Sequence, residues 1–363
     1  METLKQHNQL ESKAPEVKAP FQRRKQTLSV GVRPSRLCVL LIGIVGLVVW
    51  KGSDRQPADW TQSLLVRQPQ HVSLSLGPVF RVATFNMHGG RNKERKYTLE
   101  QMPKLLDGYE LVGLNEVRCA GCRWWHQANQ ADVLGERLKL CSVFAPTECR
   151  WWHNCFGNAL LSKTPPRSLH LVPLPCTQGR KYRNALLASL DVNGTTVRVL
   201  VTHLDNRIDH DAQLKAVVDL FLSLQPPALL MGDLNTSRAD PILQTFLQTT
   251  EVVDVVGKVL GDHDPADRID WILARKLEVR QAGIAFNLLS DHPLVWAELQ
   301  LPLNQERRQP NDSYPSTEKL LTDNFFDNNF NNGESNSGIF GHKKAAARSG
   351  FYLHAGPFAV KEP

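Results

Sequence analysis

The chain has 363 residues, 42% apolar and 22% charged, proportions ordinary for a globular protein and large enough for two domains or one large α/β sandwich. Lys and Arg outnumber Asp and Glu by 43 to 36, but the excess is N-terminal: 11 against 5 in residues 1–80, 25 against 24 in 81–303, and 7 against 7 in 304–363. A central region this close to neutral excludes net charge as an argument for nucleic-acid binding.

In chain order, a basic segment (1–36) leads into an unbroken apolar run at 37–50, LCVLLIGIVGLVVW, with Arg23, Arg24, Lys25, Arg33 and Arg36 before it. Fourteen helical residues rise about 21 Å, short of a hydrocarbon core of about 30 Å. Trp50 and Lys51 extend that reach by interfacial anchoring and snorkelling. No small-x-small cleavage site follows. The expectation is an uncleaved signal anchor or transmembrane segment with its basic end inside. The rest of the chain is then membrane-tethered and extracytoplasmic; a cleaved, secreted product and a buried core helix are the alternatives.

Residues 51–78 are polar and Pro-containing and read as a linker. From Val79 the texture changes. Strands are expected at VFRVATFNM, YELVGLNEV, FGNALLSK, RNALLASLDV, TTVRVLVTHL, ALLMGDLN, RIDWILA and PLVWAELQL, and helices at YTLEQMPKLLDG, ADVLGERLKL, HDAQLKAVVDLFLSL and ADPILQTFLQT. Leu214, Val217, Val218 and Phe221 give the third helix one apolar face, and Asn193-Gly194 marks a hairpin. The mixture predicts a layered α/β domain over 79–303. Residues 304–363, rich in Asn and Ser without period, read as a disordered tail.

Six cysteines (119, 122, 141, 149, 155 and 176) cluster within about 60 residues, and the word CRWWH occurs at both 122–126 and 149–153. Disulfide staples, a zinc site and free buried thiols are all compatible with the spacing; six cysteines allow 15 pairings. An exported domain favours the disulfides. The Trp pairs read as packing for a stapled loop or as a platform for substrate.

The chemistry sits where apolar strands end. Asn86 closes ATFN, Glu116 follows VGLN, His203 closes LVTH, Asp233 and Asn235 follow LLMG, Asp270 opens DWIL, and Asp291-His292 precede PLVW. Oxygen ligands gathered at strand ends suit Mg²⁺ or Mn²⁺, which accept few carboxylates and keep several waters. A histidine beside a carboxylate adds an oriented proton carrier.

The ordered series TFNMHGG, LNEV, GNALLSK, THLD, GDLN, RIDWIL and SDHPLV resembles the endonuclease/exonuclease/phosphatase superfamily (DNase I-like) over roughly residues 79–301. The resemblance implies a four-layer α/β/β/α sandwich of two mixed sheets flanked by helices. It implies metal ligation by Asn86, Glu116 and Asp291, and catalysis by His203, Asp233, Asn235, Asp270, Asp291 and His292. Within that set Asp233 positions or deprotonates the attacking water, Asn235 holds a phosphate oxygen or a second metal, and His203 contacts the phosphate. Asp270 orients a catalytic histidine, and His292 binds or protonates the scissile phosphate.

Several neighbours have plainer readings. His88 fits a loop, Asn158 fits backbone satisfaction, Asp205 fits a turn, and Arg118 and Arg183 fit solvated surface positions as well as phosphate contacts. The expected activity is Mg²⁺- or Mn²⁺-dependent phosphodiester hydrolysis, nuclease-like. The alternatives are a lipid or small-molecule phosphoesterase (sphingomyelinase- or inositol-phosphatase-like) and a membrane-tethered binding module without catalysis.

Overall fold

The computed structural model describes residues 36–53, 55–59, 63–119, 129–149, 155–177, 181–249 and 251–302. Apart from Cys149, both CRWWH words lie outside the described residues, as do the expected tail and the basic segment before Arg36.

Helix α1 (Arg36–Ser53) covers the apolar run, and its side chains Leu40, Ile42, Leu47 and Trp50 are exposed. Among the described residues no helix is long and apolar enough to cross a membrane.

The remaining described chain forms two mixed sheets. The first contains β1 (Gln56–Pro57), β2 (Val66–Arg67), β3 (Val79–Asn86), β4 (Leu111–Cys119), β5 (Cys141–Cys149), β6 (Cys155–Ser162), β13 (Glu278–Ala285) and β14 (Leu294–Gln300). Its order is β1-β5-β6-β4-β3-β14-β13, with β2 also paired to β5. The second contains β7 (Ser168–Pro173), β8 (Asn184–Val192), β9 (Thr195–His203), β10 (Ala228–Asp233), β11 (Val253–Asp254) and β12 (Asp270–Arg275), in the order β11-β12-β10-β9-β8-β7. Among the described strands, only β3–β4 and β9–β10 are parallel pairs. Each brings two strand C-termini to the same end of its sheet.

The sheets pack face to face through Phe80, Val82, Val199, Val201, Met231 and Ile272, all at most 1% exposed. Burying each such side chain is worth about 1.5–3 kcal/mol. The opposite face of the first sheet is covered by α2 (Met102–Leu106) and α3 (Gln130–Leu138); that of the second, by α4 (His210–Ser223) and α5 (Pro241–Leu247). This is the expected four-layer α/β/β/α sandwich. Central strands are apolar on both faces because both faces are covered, so they read as continuous apolar runs. Along β9, Val197, Val199 and Val201 face the other sheet while Leu200 faces the helices.

Local signals account for most element ends. Asn193 (φ 48) and Gly194 (φ 79) make the β8–β9 hairpin turn, both central residues at positive φ. Asp240 caps α5 by accepting from the Ile242 and Leu243 N–H groups, with Pro241 at the first helical position. The helix expected at YTLEQMPKLLDG shortens to a 3-10 turn (Leu99–Gln101) and the brief α2, where Pro103 sits near the start. Strands β5, β7 and β13 and helix α6 (Val255–Leu260) were not expected from the pattern. Within 51–78, read as a linker, β1 and β2 pair with β5 and Leu76 is buried against the inter-sheet core.

Three asparagine side chains at the strand ends tie the sheets together. Asn115 of β4 donates to the Thr202 carbonyl of β9 and to Asn158 Oδ1, both at 2.9 Å. Its own Oδ1 accepts from the Asp233 N–H at 3.0 Å. Asn158 of β6 donates in turn to Asn184 of β8, at 3.2 Å to the carbonyl and 3.1 Å to Oδ1, and Asn184 returns to the Pro146 carbonyl. Asn158 thus satisfies buried groups between sheets, the plainer of its two readings. Asn115→Ala should lower stability by about 2–4 kcal/mol, since it strands several buried donors and acceptors; a denaturant midpoint close to that of the parent chain would contradict this.

A second tie lies at the far end of β8. Burial works against ionisation of Asp191, but hydrogen bonds from Ser75 Oγ and the Gly194 N–H, with the Arg167 guanidinium, outweigh it and hold the carboxyl below its ordinary range. Because the folded value lies below the unfolded one, this stabilisation is complete above about pH 4 and drains away as pH falls through the folded value. Asp191→Asn should therefore cost about 1–2 kcal/mol at pH 7. The gap to the parent chain should narrow towards pH 3 in urea titrations; a gap independent of pH would refute the assignment.

Candidate active site

The two parallel pairs and two returning strands meet at one end of the sandwich. Asp233, at the C-terminus of β10, lies in register with His203 at the C-terminus of β9 and with Asp270 at the start of β12. In the other sheet Asn86 of β3 lies beside Asn115 of β4. Asp291 and His292 precede β14, which runs antiparallel to β3 and so delivers them to the same end.

The resulting geometry is tight. Asn86 Nδ2 donates to Asp233 Oδ2 at 2.9 Å and reaches Glu116 Oε1 and His292 Nε2 at 3.5 Å each. Asp233 Oδ1 accepts from the Asn235 N–H at 2.9 Å. His292 Nδ1 meets Asp270 Oδ2 at 2.8 Å, and His203 Nε2 lies 3.5 Å from Asp233 Oδ2. Ser290 holds the terminal pair in place: its Oγ donates to the Asn86 carbonyl at 2.7 Å and accepts from the His292 N–H at 3.3 Å. Asn235 (φ 51) donates Nδ2 to the Leu204 carbonyl at 2.9 Å. His88 stands 3.3 Å from Asp291, and Asp205 is paired with Lys181 at 2.7 Å, as suits a turn residue.

Glu116 owes its position to a break in the strand. The β4–β6 register shifts between Leu114 and Val117, and Glu116 takes φ +57. A left-handed non-glycine residue costs about 1–2 kcal/mol. Its carboxylate lines a cleft of about 570 Å³ together with His203, Asp233, Asn235, Asp291 and His292.

Charge follows environment. Burial works against protonation of His292, yet the hydrogen bond and charge of Asp270, with Asp233 and Asp291 nearby, push it up to about 9. Burial and the Asp270 charge raise Asp233 well above the ordinary carboxylate range. His203 is driven well below its ordinary value by burial and by Arg183, His292 and Lys181, so it is neutral. At neutral pH the cleft thus pairs a protonated imidazole with a carboxylate that exchanges its proton readily, the separation that acid–base work requires.

All eight expected site residues reach this end of the fold, and the structure adds Asn115 and Ser290. For a divalent cation, Glu116 and Asp291 offer carboxylate oxygens at the cleft, which fits a hard ion that keeps several waters, while the buried Asn86 turns its Nδ2 toward Glu116 and its Oδ1 accepts from the His88 N–H at 3.1 Å. They do not form a closed cage. Among the described residues the His, Asp and Glu atoms that cluster within 4.8 Å at the cleft are those of Asp233, Asp270 and His292. Cys149 and Cys155 form a disulfide and Cys119 is disulfide-bonded, while Cys141 and Cys176 are free thiols. Stapling therefore holds for part of the cysteine set, and Cys149 and Cys155 are not zinc ligands.

Solved structures share the fold. A Beutenbergia cavernae endonuclease/exonuclease/phosphatase superposes with TM-score 0.50 at 24% identity, covering 61% of this chain and 72% of its own. A family protein from Leptotrichia buccalis gives TM-score 0.51 at 15% identity, covering 61% of this chain and 100% of its own. One from Bacteroides vulgatus gives 0.50 at 17%, covering 62% and 99%. No curated protein matches the sequence. The profile of the Endonuclease/Exonuclease/phosphatase family matches residues 83–292, a span that runs from β3 through His292 and holds every one of these site residues; the chain belongs to that family of phosphoester hydrolases.

Proposed function

We propose that the chain is a divalent-metal-dependent phosphodiester hydrolase with nuclease-like action. The observation that carries this reading is the convergence of Asn86, Asp233, Asp270 and His292 through contacts of 2.8–3.5 Å beside Glu116 in one cleft. Glu116, Asn86 and Asp291 would hold Mg²⁺ or Mn²⁺, which when bound neutralises phosphate charge. Asp233 orients and deprotonates the attacking water, since its raised proton affinity suits a base near neutral pH. Asn235 and His203 hold phosphate oxygens, His203 as a neutral donor. His292, charged and oriented by Asp270, binds the scissile phosphate and protonates the leaving oxygen.

In the full-length chain with Mg²⁺ or Mn²⁺, bis-p-nitrophenyl phosphate should be hydrolysed, and EDTA should abolish turnover. Glu116→Ala and His292→Ala should each reduce kcat by about 10²–10⁴-fold. Metal-independent turnover, or variants as active as the parent, would count against the assignment.

We also propose an extracytoplasmic setting with membrane attachment through residues 37–50. Support comes from the exposed apolar side chains of α1, the basic residues before it, and the disulfides at Cys119 and at Cys149–Cys155. A membrane-impermeant protease added to intact cells should digest the domain; protection until the cells are opened is the contrary result.

A further inference from the structure

Three arginines are buried among the described residues: Arg183, Arg268 and Arg275. Two are held by several hydrogen bonds each, although Arg275 Nε has no partner. Arg268 binds the carboxylates of Asp254 and Asp264 and the Asp270 carbonyl. Arg275 binds Glu251 and the carbonyls of Phe221, Leu222 and Leu224. Arg183 is different. It is 8% exposed, its Nε has no hydrogen-bond partner, and it forms no ion pair among the described residues. Its guanidinium lines the cleft, 5.5 Å from the centre of the Phe156 ring. The reading of Arg183 as a solvated surface residue is thus corrected.

A buried cation without a partner is costly, and that cost is relieved when an anion arrives. The carboxylates nearest in the field of Arg183 (Glu116, Glu148, Asp205 and Asp233) act at a distance. Asp205 is bound to Lys181 at 2.7 Å. Across the same Phe156 ring lies Arg118, 5.7 Å from its centre and exposed at the cleft. Arg118 is held there by close packing on Gly89, where a Cβ would fall 2.5 Å from its Nε and where φ is +65. Phe156 is in turn 6.3 Å from the His203 ring, and His203 adjoins Asp233. The arginines therefore stand one side chain away from the reacting centre, on the β6 side.

We propose that Arg183 and Arg118, set about Phe156, form an anion subsite, and that the substrate carries a second phosphate besides the ester that is cleaved. The proposal rests on the hydrolase reading for what happens next door, but occupation of the subsite needs no turnover. Planar guanidinium groups suit phosphate oxygens through paired N–H donors. A second phosphate has two chemical sources, the next link of a nucleotide strand or a neighbouring position on a phosphorylated cyclitol. A single phosphodiester with a cationic headgroup would leave the subsite unfilled.

The test is calorimetric binding to the full-length chain in Mg²⁺. Thymidine 5′-monophosphate is compared with thymidine 3′,5′-bisphosphate, and inositol 1-phosphate with inositol 1,4-bisphosphate. The bisphosphate of one series should bind about tenfold tighter or more, the size of one charge-assisted hydrogen bond. The series that gains identifies the source. Arg183→Gln should remove the preference and Arg183→Lys should keep part of it. Arg118→Gln, at an exposed position, gives a second reading if the Arg183 variants fail to fold, and should also weaken the preference. Equal affinities within both series, a preference that survives in folded Arg183→Gln, or one that is undiminished in Arg118→Gln, would overturn the proposal. Turnover of bis-p-nitrophenyl phosphate in the same preparations separates the two readings. Turnover without bisphosphate preference removes the subsite and leaves the hydrolase; preference without turnover does the reverse.

Discussion

Everything at the functional end depends on keeping Asp233 buried where two sheets meet. A carboxyl that is 1% exposed is tolerated because its surroundings are saturated with hydrogen bonds: Asn86 on one oxygen, the Asn235 N–H on the other, and Asn115 on its own backbone N–H. Two of those partners, Asn86 and Asn115, come from the opposite sheet. The apolar interface between the sheets therefore has to set their spacing to within a hydrogen bond's tolerance, and the asparagine chain from Asn115 to Asn184 converts that spacing into a fixed register.

The same constraint produces the division of charge. Packing Asp233 beside Asp270 in a dry setting raises the proton affinity of Asp233, and Asp270 lends its negative charge to His292. His203, only one strand away, is buried with Arg183, His292 and Lys181 in its field, and stays neutral. Two strand ends in register and the turn before β14 thus yield three titratable groups with three different proton affinities.

Much of this was legible in the chain because the relevant residues interrupt apolar runs. Asn86, His203, Asp233 and Asp270 stand at the ends of strands whose interiors are almost wholly apolar, so both the strand and its polar terminus were visible. Strands β7 and β13 were not visible, since they lie at sheet edges, half-buried and with mixed composition. Strand β5 carries Pro146 and two cysteines, and α6 is only six residues long. Asn115 sat in plain view beside Glu116, yet its role depends on which strands of the other sheet lie opposite, and no local pattern encodes that. Arg183 was misread for a related reason: charge predicts exposure unless the fold closes over it.

The site residues are split between the sheets. Asn86, Glu116, Asp291 and His292 belong to the first, His203, Asp233, Asn235 and Asp270 to the second, and the terminal pair arrives just ahead of β14, the last described strand. During synthesis the chain would therefore carry seven strands of one sheet and all six of the other before the acid–base pair could assemble. A site built this way is incomplete until the last described strand is in place, and a separation of the sheets would disperse it before the chain unfolds.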